Sequence, residues 1–276
     1  MTPQPGNRRP LILVVAMGLL FVAACGKEST VPAQAPAAPT AAAPAPAQPS
    51  AQPAAASTAT ASAAIADAVA NPARPADDVA RDADRKPAET LAFFDVAPGE
   101  VIFEFIAGGG YFTELLSRTV GDSGRVVASR EAPERIANGR LPNVTAAPDQ
   151  DWGLAPDSVD LVFTALNYHD VINLKVDRAP LLANMFKALK PGGILAIIDH
   201  SAEAGSGVRD VGTLHRVDES VVVSEVKAAG FELVGTSDLL RNPADARTLK
   251  VFDPAIRGKT DQFILKFRKP AAIPGA

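Results

Sequence analysis

The chain has one cysteine, Cys25, among 276 residues. An internal disulfide is therefore excluded, and so is a thiolate nucleophile anywhere in the following domain. Aromatic residues make up 5%, with one Trp and two Tyr, which leaves little stacking surface for nucleic-acid bases. The formal net charge is −4 and no basic stripe runs through the sequence. Nucleic acid is thus not an expected partner. There are only three histidines, His169, His200 and His215, so imidazole chemistry has three candidates. No long internal repeat is visible. About 200 residues remain for a folded unit, enough for one substantial core.

The first residues read as a targeting segment. Arg8 and Arg9 form a short positive region, and the apolar run Leu11–Ala24 falls short of the ~20 residues of a comfortable membrane span. The run ends in Val22-Ala23-Ala24-Cys25. Small residues before a cysteine resemble a bacterial lipoprotein signal, which implies lipidation at Cys25. Gly26 in the next position, by the same resemblance, favours the outer membrane. Asn7-Arg8-Arg9-Pro10 also resembles a twin-arginine export signal, so two export routes stay open. Residues 26–62 are dominated by Ala, Pro, Gln, Ser and Thr and cannot bury enough apolar surface to offset chain entropy. They are expected to form a disordered, semi-rigid tether. The expected organisation is a leader over 1–25, this tether, a domain over 63–270 and a tail over 271–276. The expected location is the periplasm-facing surface of a cell envelope, with membrane contact through the lipid anchor alone.

Within the domain, strands and helices alternate. Arg74–Phe94 reads as helical. Val101–Phe105, Arg125–Ser129, Asn143–Ala147, Val159–Ala165 and Ile194–Ile198 read as strands. Leu181, Leu182, Met185, Ala188 and Leu189 recur at helical spacing, and Lys190-Pro191-Gly192-Gly193 stops that helix. Asp218 is placed to cap a helix ending at Gly230. Phe231–Thr236 and Gln262–Phe267 suit a closing antiparallel pair. This alternation predicts an α/β, doubly wound parallel sheet.

The most telling stretch is Val101–Leu116, VIFEFIAGGGYFTELL: strand, glycine turn, amphipathic helix. In open α/β sheets such a turn lets backbone approach a nucleotide-like ligand. A nicotinamide reading is poor, because Thr113 stands where the third dinucleotide-motif glycine belongs. Ile106 opens the turn ahead of its glycines, and β-branched residues tolerate positive φ poorly. The turn is therefore expected to begin in an ordinary extended conformation or to bend later, at Gly108.

EFIAGGGYFTELL, VDLVFTALNYHD, LKPGGILAIIDH, AAGFELV and the final strand together resemble the class I S-adenosylmethionine-dependent methyltransferase family. More narrowly they resemble a branch of exported bacterial methyltransferases with NYHD, LHR and RGxTDxF motifs. Here these are Asn167–Asp170, Leu214–Arg216 and Arg257–Phe263. The resemblance implies a Rossmann-like, seven-stranded sheet with an antiparallel last strand. It implies S-adenosylmethionine as cofactor, contacted by Glu104 through its loop and by Ala107, Gly108 and Gly110. Glu131, one residue beyond Ser129-Arg130, is the candidate for the ribose diol. Asp149 and Asp151 fall where the family contacts adenine, and Asn167 closes the cofactor set.

Asn167-Tyr168-His169-Asp170 follows the fourth strand, on the rim where ligands of such sheets lie. Tyr168, His169, Asp170, His200 and His215 are the candidate catalytic residues, one histidine serving as general base while the methyl arrives. The same histidines, with Asp170, Asp199 or Asp210, admit a Zn²⁺ or Fe²⁺ site, although no compact ligand spacing marks one. Arg216, Arg241 and Arg257 are candidates to clamp an anion or to form ordinary ion pairs. Three functions stay open on this reading. They are a methyltransferase acting on a small molecule, a non-catalytic ligand-binding protein on the same fold, and a His/Asp metal-dependent enzyme.

Overall fold

The structure is a computed structural model that describes residues 52–130, 139–148 and 151–271. Cys25, Glu131 and Asp149 lie outside the described residues. Among those described, seven strands form one sheet: β1 (Val101–Glu104), β2 (Arg125–Ser129), β3 (Val144–Ala147), β4 (Val159–Ala165), β5 (Leu189–His200), β6 (Glu232–Ser237) and β7 (Gln262–Arg268). The strand order is β3-β2-β1-β4-β5-β7-β6. Pairings from β3 through β5 are parallel, and β7 runs antiparallel to both β5 and β6. The order reverses between β1 and β4, so the crevice for a ligand lies past the carboxyl ends of those two strands.

Eight helices cover the two faces among the described residues. They are α1 (Gln52–Val69), α2 (Ala76–Val79), α3 (Asp82–Arg85), α4 (Pro87–Phe93), α5 (Tyr111–Val120), α6 (Tyr168–Asn173), α7 (Arg178–Ala188) and α8 (Glu219–Ala228). The period-two alternation of the strands feeds two cores. Ile102, Leu161, Phe163, Ala196, Ile198 and Ile264 point to the layer of α1, α4 and α5. Phe103, Val162, Leu195, Ile197, Phe263 and Leu265 point to the layer of α6, α7 and α8. Each such fully buried Val, Leu, Ile or Phe side chain stabilises the fold by about 1.5–3 kcal/mol against exposure. No described helix is long and apolar enough to cross a membrane.

Three expectations change. α1 begins at Gln52, inside the segment read as tether. Its alanine-rich sequence is strongly helix-forming, and Ile65 anchors it in the core beside α5. The stretch Arg74–Phe94 is three short helices, not one. The break falls at Lys86 (φ 42°), because the residue before a proline is pushed out of the helical region and Pro87 then opens the next helix. Finally, β5 starts before Ile194. Leu189 already pairs with Val159, and the register shifts before Leu161 meets Ile194, so Lys190–Gly193 form an irregular segment within the strand.

Candidate active site

The glycine turn hangs between β1 and α5. Ile106 has φ 58°, Gly108 φ 54° and Gly110 φ 78°. The turn therefore does what was not expected of it, and starts in the left-handed region at a β-branched residue. Such a conformation persists only where its surroundings hold it. Here the Ile106 N–H donates to Ser129 Oγ at 3.0 Å, and Asn167 Nδ2 donates to the Ile106 carbonyl at 2.9 Å. The Ala107 N–H adds a bond to the Ser129 carbonyl at 2.9 Å. The side chain of Ile106 packs against the α6–α8 core. Three strand ends, of β1, β2 and β4, thus fix one strained residue. Asn167, assigned to the cofactor, spends its amide on this brace and on the Ala165 carbonyl.

Glu104 ends β1 and is buried, and Thr113 Oγ1 donates to its Oε2 at 2.5 Å. Thr113 therefore acts where a glycine would be silent. A cleft with about 510 Å³ of free space, partly continuous with solvent, opens over the turn. Its walls include Glu104, Gly108, Gly109, Arg81, Arg85 and Asn167. A Cβ on Gly108 would meet nothing within 4 Å, so this glycine faces open space. Gly110 is instead the buried N-terminal cap of α5 and does not line the cleft.

Arg85 was not foreseen. Its guanidinium lies 4.4 Å from the Tyr111 ring centroid and 5.8 Å from that of Phe112. Tyr111 is itself held by a 2.7 Å hydrogen bond to Asp82, whose carboxylate also pairs with Arg74. Among the described residues no carboxylate reaches Arg85 within ion-pair distance. Burial lowers its pKa, and Arg81 adds to the effect. A desolvated cation on aromatic faces, beside a ligand-sized cleft, is suited to an anionic group.

The second half of the rim gathers all three histidines. Asp199, fully buried at the end of β5, takes the His169 backbone N–H on Oδ2 at 2.8 Å and meets ring Nδ1 with Oδ1 at 2.7 Å. Burial alone would depress the His169 pKa. The charge and hydrogen bond of Asp199, with Asp170 beyond, outweigh it and raise the pKa. His169 and His215 have ring centroids 5.5 Å apart, and His169 and His200 5.7 Å. His200 is tied to Thr260 Oγ1 at 2.8 Å, and burial drives its pKa down to about 4, so it stays neutral at physiological pH. His215 sits at φ 57° against the exposed Phe252 ring, 5.0 Å away.

The motifs converge on this rim. Arg216 of LHR is fully buried, paired with Asp245 at 2.9 Å and donating to the Ser201 carbonyl. It locks the loop that presents His215 and is not a substrate clamp. Arg241 is likewise spent on Glu219 and Asp261. Thr260 of RGxTDxF holds His200. Tyr168 does not join the cluster. Its ring is buried in the α6–α8 layer, and its hydroxyl donates to Glu225 at 2.6 Å beside Arg178. Asp151 caps its own turn through the Gly153 N–H, and with Trp152 it lines a different cleft. Asp210 pairs with Arg209.

Residues 104–197 match the family model described as Methyltransferase domain. An arsenite methyltransferase of Halobacterium salinarum is 30% identical over 139 residues, 45% of this chain and 34% of that protein. A ubiquinone/menaquinone biosynthesis C-methyltransferase UbiE of Legionella pneumophila is 26% identical over 129 residues, 44% of this chain and 51% of that protein. The chain thus spans a third to about half of the length of these curated relatives. Among solved structures, the [4+2]-cyclase SpnF superposes with a TM-score of 0.50 at 17% identity, covering 68% of this chain and 81% of that one. A SAM-dependent methyltransferase from Aquifex aeolicus has a TM-score of 0.49 at 20% identity, covering 66% and 88%.

Sheet order, antiparallel β7 and the matched segment define the class: a Rossmann-like α/β domain of the class I methyltransferase type. The match to that family model spans residues 104–197, about a third of the chain.

Proposed function

We propose that this protein transfers a methyl group from S-adenosylmethionine to a small molecule bound at the histidine rim. The observation that carries the reading is the cleft over the glycine turn, with open space at Gly108 and, on its wall, Arg85, which meets no carboxylate within ion-pair distance among the described residues. The cofactor fits the chemistry present. Gly108 and Gly109 allow close backbone approach, Glu104 closes the floor, and Arg85 offers a charge to a carboxylate.

When bound, S-adenosylmethionine supplies a methyl group activated on a sulfonium sulfur. The residues of this chain do the placing. Ser129 and Asn167 hold the turn so that the donor cannot drift, which matters because reacting atoms must sit about 3–3.5 Å apart and in line. Asn167 ends the cleft two residues before His169, so donor and acceptor regions share one wall. The imidazoles of His169 and His215 and the Asp170 carboxylate offer polar contacts to an acceptor, and exposed Phe252 offers an apolar lip. Arsenite, the acceptor named for one relative, is a thiophilic species. The described residues contain no thiol, so that acceptor is not carried over.

We also propose that the domain is carried on a lipidated Cys25 at the periplasmic face of a cell envelope. The support is the leader sequence before Cys25. Loss of a metabolically incorporated acyl label in Cys25→Ser tests it, and an unlabelled wild type overturns it. The enzymatic reading is tested by crystals grown with S-adenosylhomocysteine. Density over Gly108 with its carboxylate at Arg85 supports it, and density elsewhere overturns it.

A further inference from the structure

His169, Asp170 and His215 each offer one ligand atom, and these atoms lie within 4.8 Å of one another. His169 Nε2 is 3.4 Å from Asp170 Oδ1, and His215 Nδ1 is 3.3 Å from the same oxygen. Neither contact is a hydrogen bond. The Nδ1 of His215 is buried with no hydrogen-bond partner among the described residues. A buried, unsatisfied imidazole nitrogen requires an explanation. Two nitrogens that approach one carboxylate oxygen without aligning on it are arranged around a common point.

The two separations from Asp170 Oδ1 fit a metal ion. With metal–nitrogen and metal–oxygen distances of about 2.0–2.2 Å, neighbouring ligands of a tetrahedral site stand about 3.3–3.5 Å apart. The supporting shell is in place. Asp199 takes His169 Nδ1, which leaves Nε2 with its lone pair toward Asp170, the carboxylate–histidine–metal arrangement of protein sites. His215 is held at φ 57° by the anchored Arg216 beside it, so its conformation is imposed. His200 is not among the residues whose ligand atoms converge here.

We propose that His169, Asp170 and His215 bind one divalent transition-metal ion, Zn²⁺ or Fe²⁺ in class, through His169 Nε2, Asp170 Oδ1 and His215 Nδ1. Two imidazoles and one carboxylate leave further positions open, as in catalytic rather than structural sites. Those positions are reached past Asp170, whose side chain is 41% exposed. The ion would take an oxygen or nitrogen of the acceptor. That role rests on the methyltransferase reading, whereas metal binding itself does not.

The test uses the full chain, stripped with chelator and titrated with ZnCl₂ by calorimetry, with Co²⁺ absorption as a second readout. The expected result is one ion per chain and d–d bands of a nitrogen/oxygen site. His215→Ala and Asp170→Asn are expected to remove both signals while retaining a cooperative melt. Absence of stoichiometric binding to the wild-type chain overturns the proposal, and so does unchanged affinity in both folded variants. S-adenosylhomocysteine titrated into the stripped chain separates this failure from failure of the methyltransferase reading.

Discussion

One carboxylate, Asp199, grips His169 at two points, its backbone N–H and its ring Nδ1, at 2.8 and 2.7 Å. It also accepts the His200 backbone N–H at 2.7 Å. The end of β5 and the start of α6 are joined through this group. Asp199→Asn keeps the shape but removes the charge. Hydrogen bonds to charged groups contribute about 1.5–3 kcal/mol, so the metal-free variant should melt about 3–12 °C lower. Calorimetric melting checks this, and an unchanged Tm would show that the grip is not a structural tie.

Gly108 and Gly110 should separate cleanly. Both hold positive φ, which costs an L-residue about 1–2 kcal/mol. Gly108→Val projects into open cleft space, so it should fold with a modestly lower Tm and lose S-adenosylmethionine binding. Gly110→Val falls at the buried cap of α5 and should show its main defect in folding. Thermal melts beside ligand titrations of the two variants distinguish them.

Tyr168→Phe tests the removal of that residue from the reacting set. It loses the bond to Glu225 and should cost about 1 kcal/mol of stability. S-adenosylmethionine affinity should stay within twofold of wild type by calorimetry.

Glu100, just ahead of β1, supplies a pH dependence. Burial pushes its pKa up; the Ala97 N–H opposes this and nearby Asp160 and Asp95 add to it, and the result is about 7. A raised acid pKa means that the folded state holds the proton more tightly than the unfolded chain. Its contribution therefore favours folding at low pH and declines as pH rises from about 4.5 to about 7. Glu100→Gln should flatten that part of the stability curve and be more stable than wild type at pH 8. Urea melts at pH 5 and pH 8 measure the difference.

The sheet was legible because its strands carry apolar residues at period two and its helices at period 3.6, as with Phe103 against Ile102 and Leu182 with Met185. The glycine turn was legible as a site, but its backbone was not. Ile106 adopts φ 58° only because Ser129 and Asn167, distant in sequence, bond both its peptide groups. The gathering of His169, His200 and His215 on one rim followed from strand ends. Which nitrogen faces which carboxylate depends on the buried Asp199–His169 and Arg216–Asp245 pairs, which no spacing reveals. Arg85 was missed for a related reason: a short helix before Pro87 carries it to the cleft, and a continuous helix would have placed it differently.

The central claim is that the cleft over Gly108 holds S-adenosylmethionine, with Arg85 on its wall. Calorimetric titration of S-adenosylhomocysteine into wild-type protein, Arg85→Ala and Gly108→Val tests it most directly. One site is expected in the wild type, with an affinity about 10–100-fold weaker in Arg85→Ala through loss of one charged contact, and no binding in Gly108→Val. No binding to the wild type, or equal affinity in all three folded proteins, would contradict it.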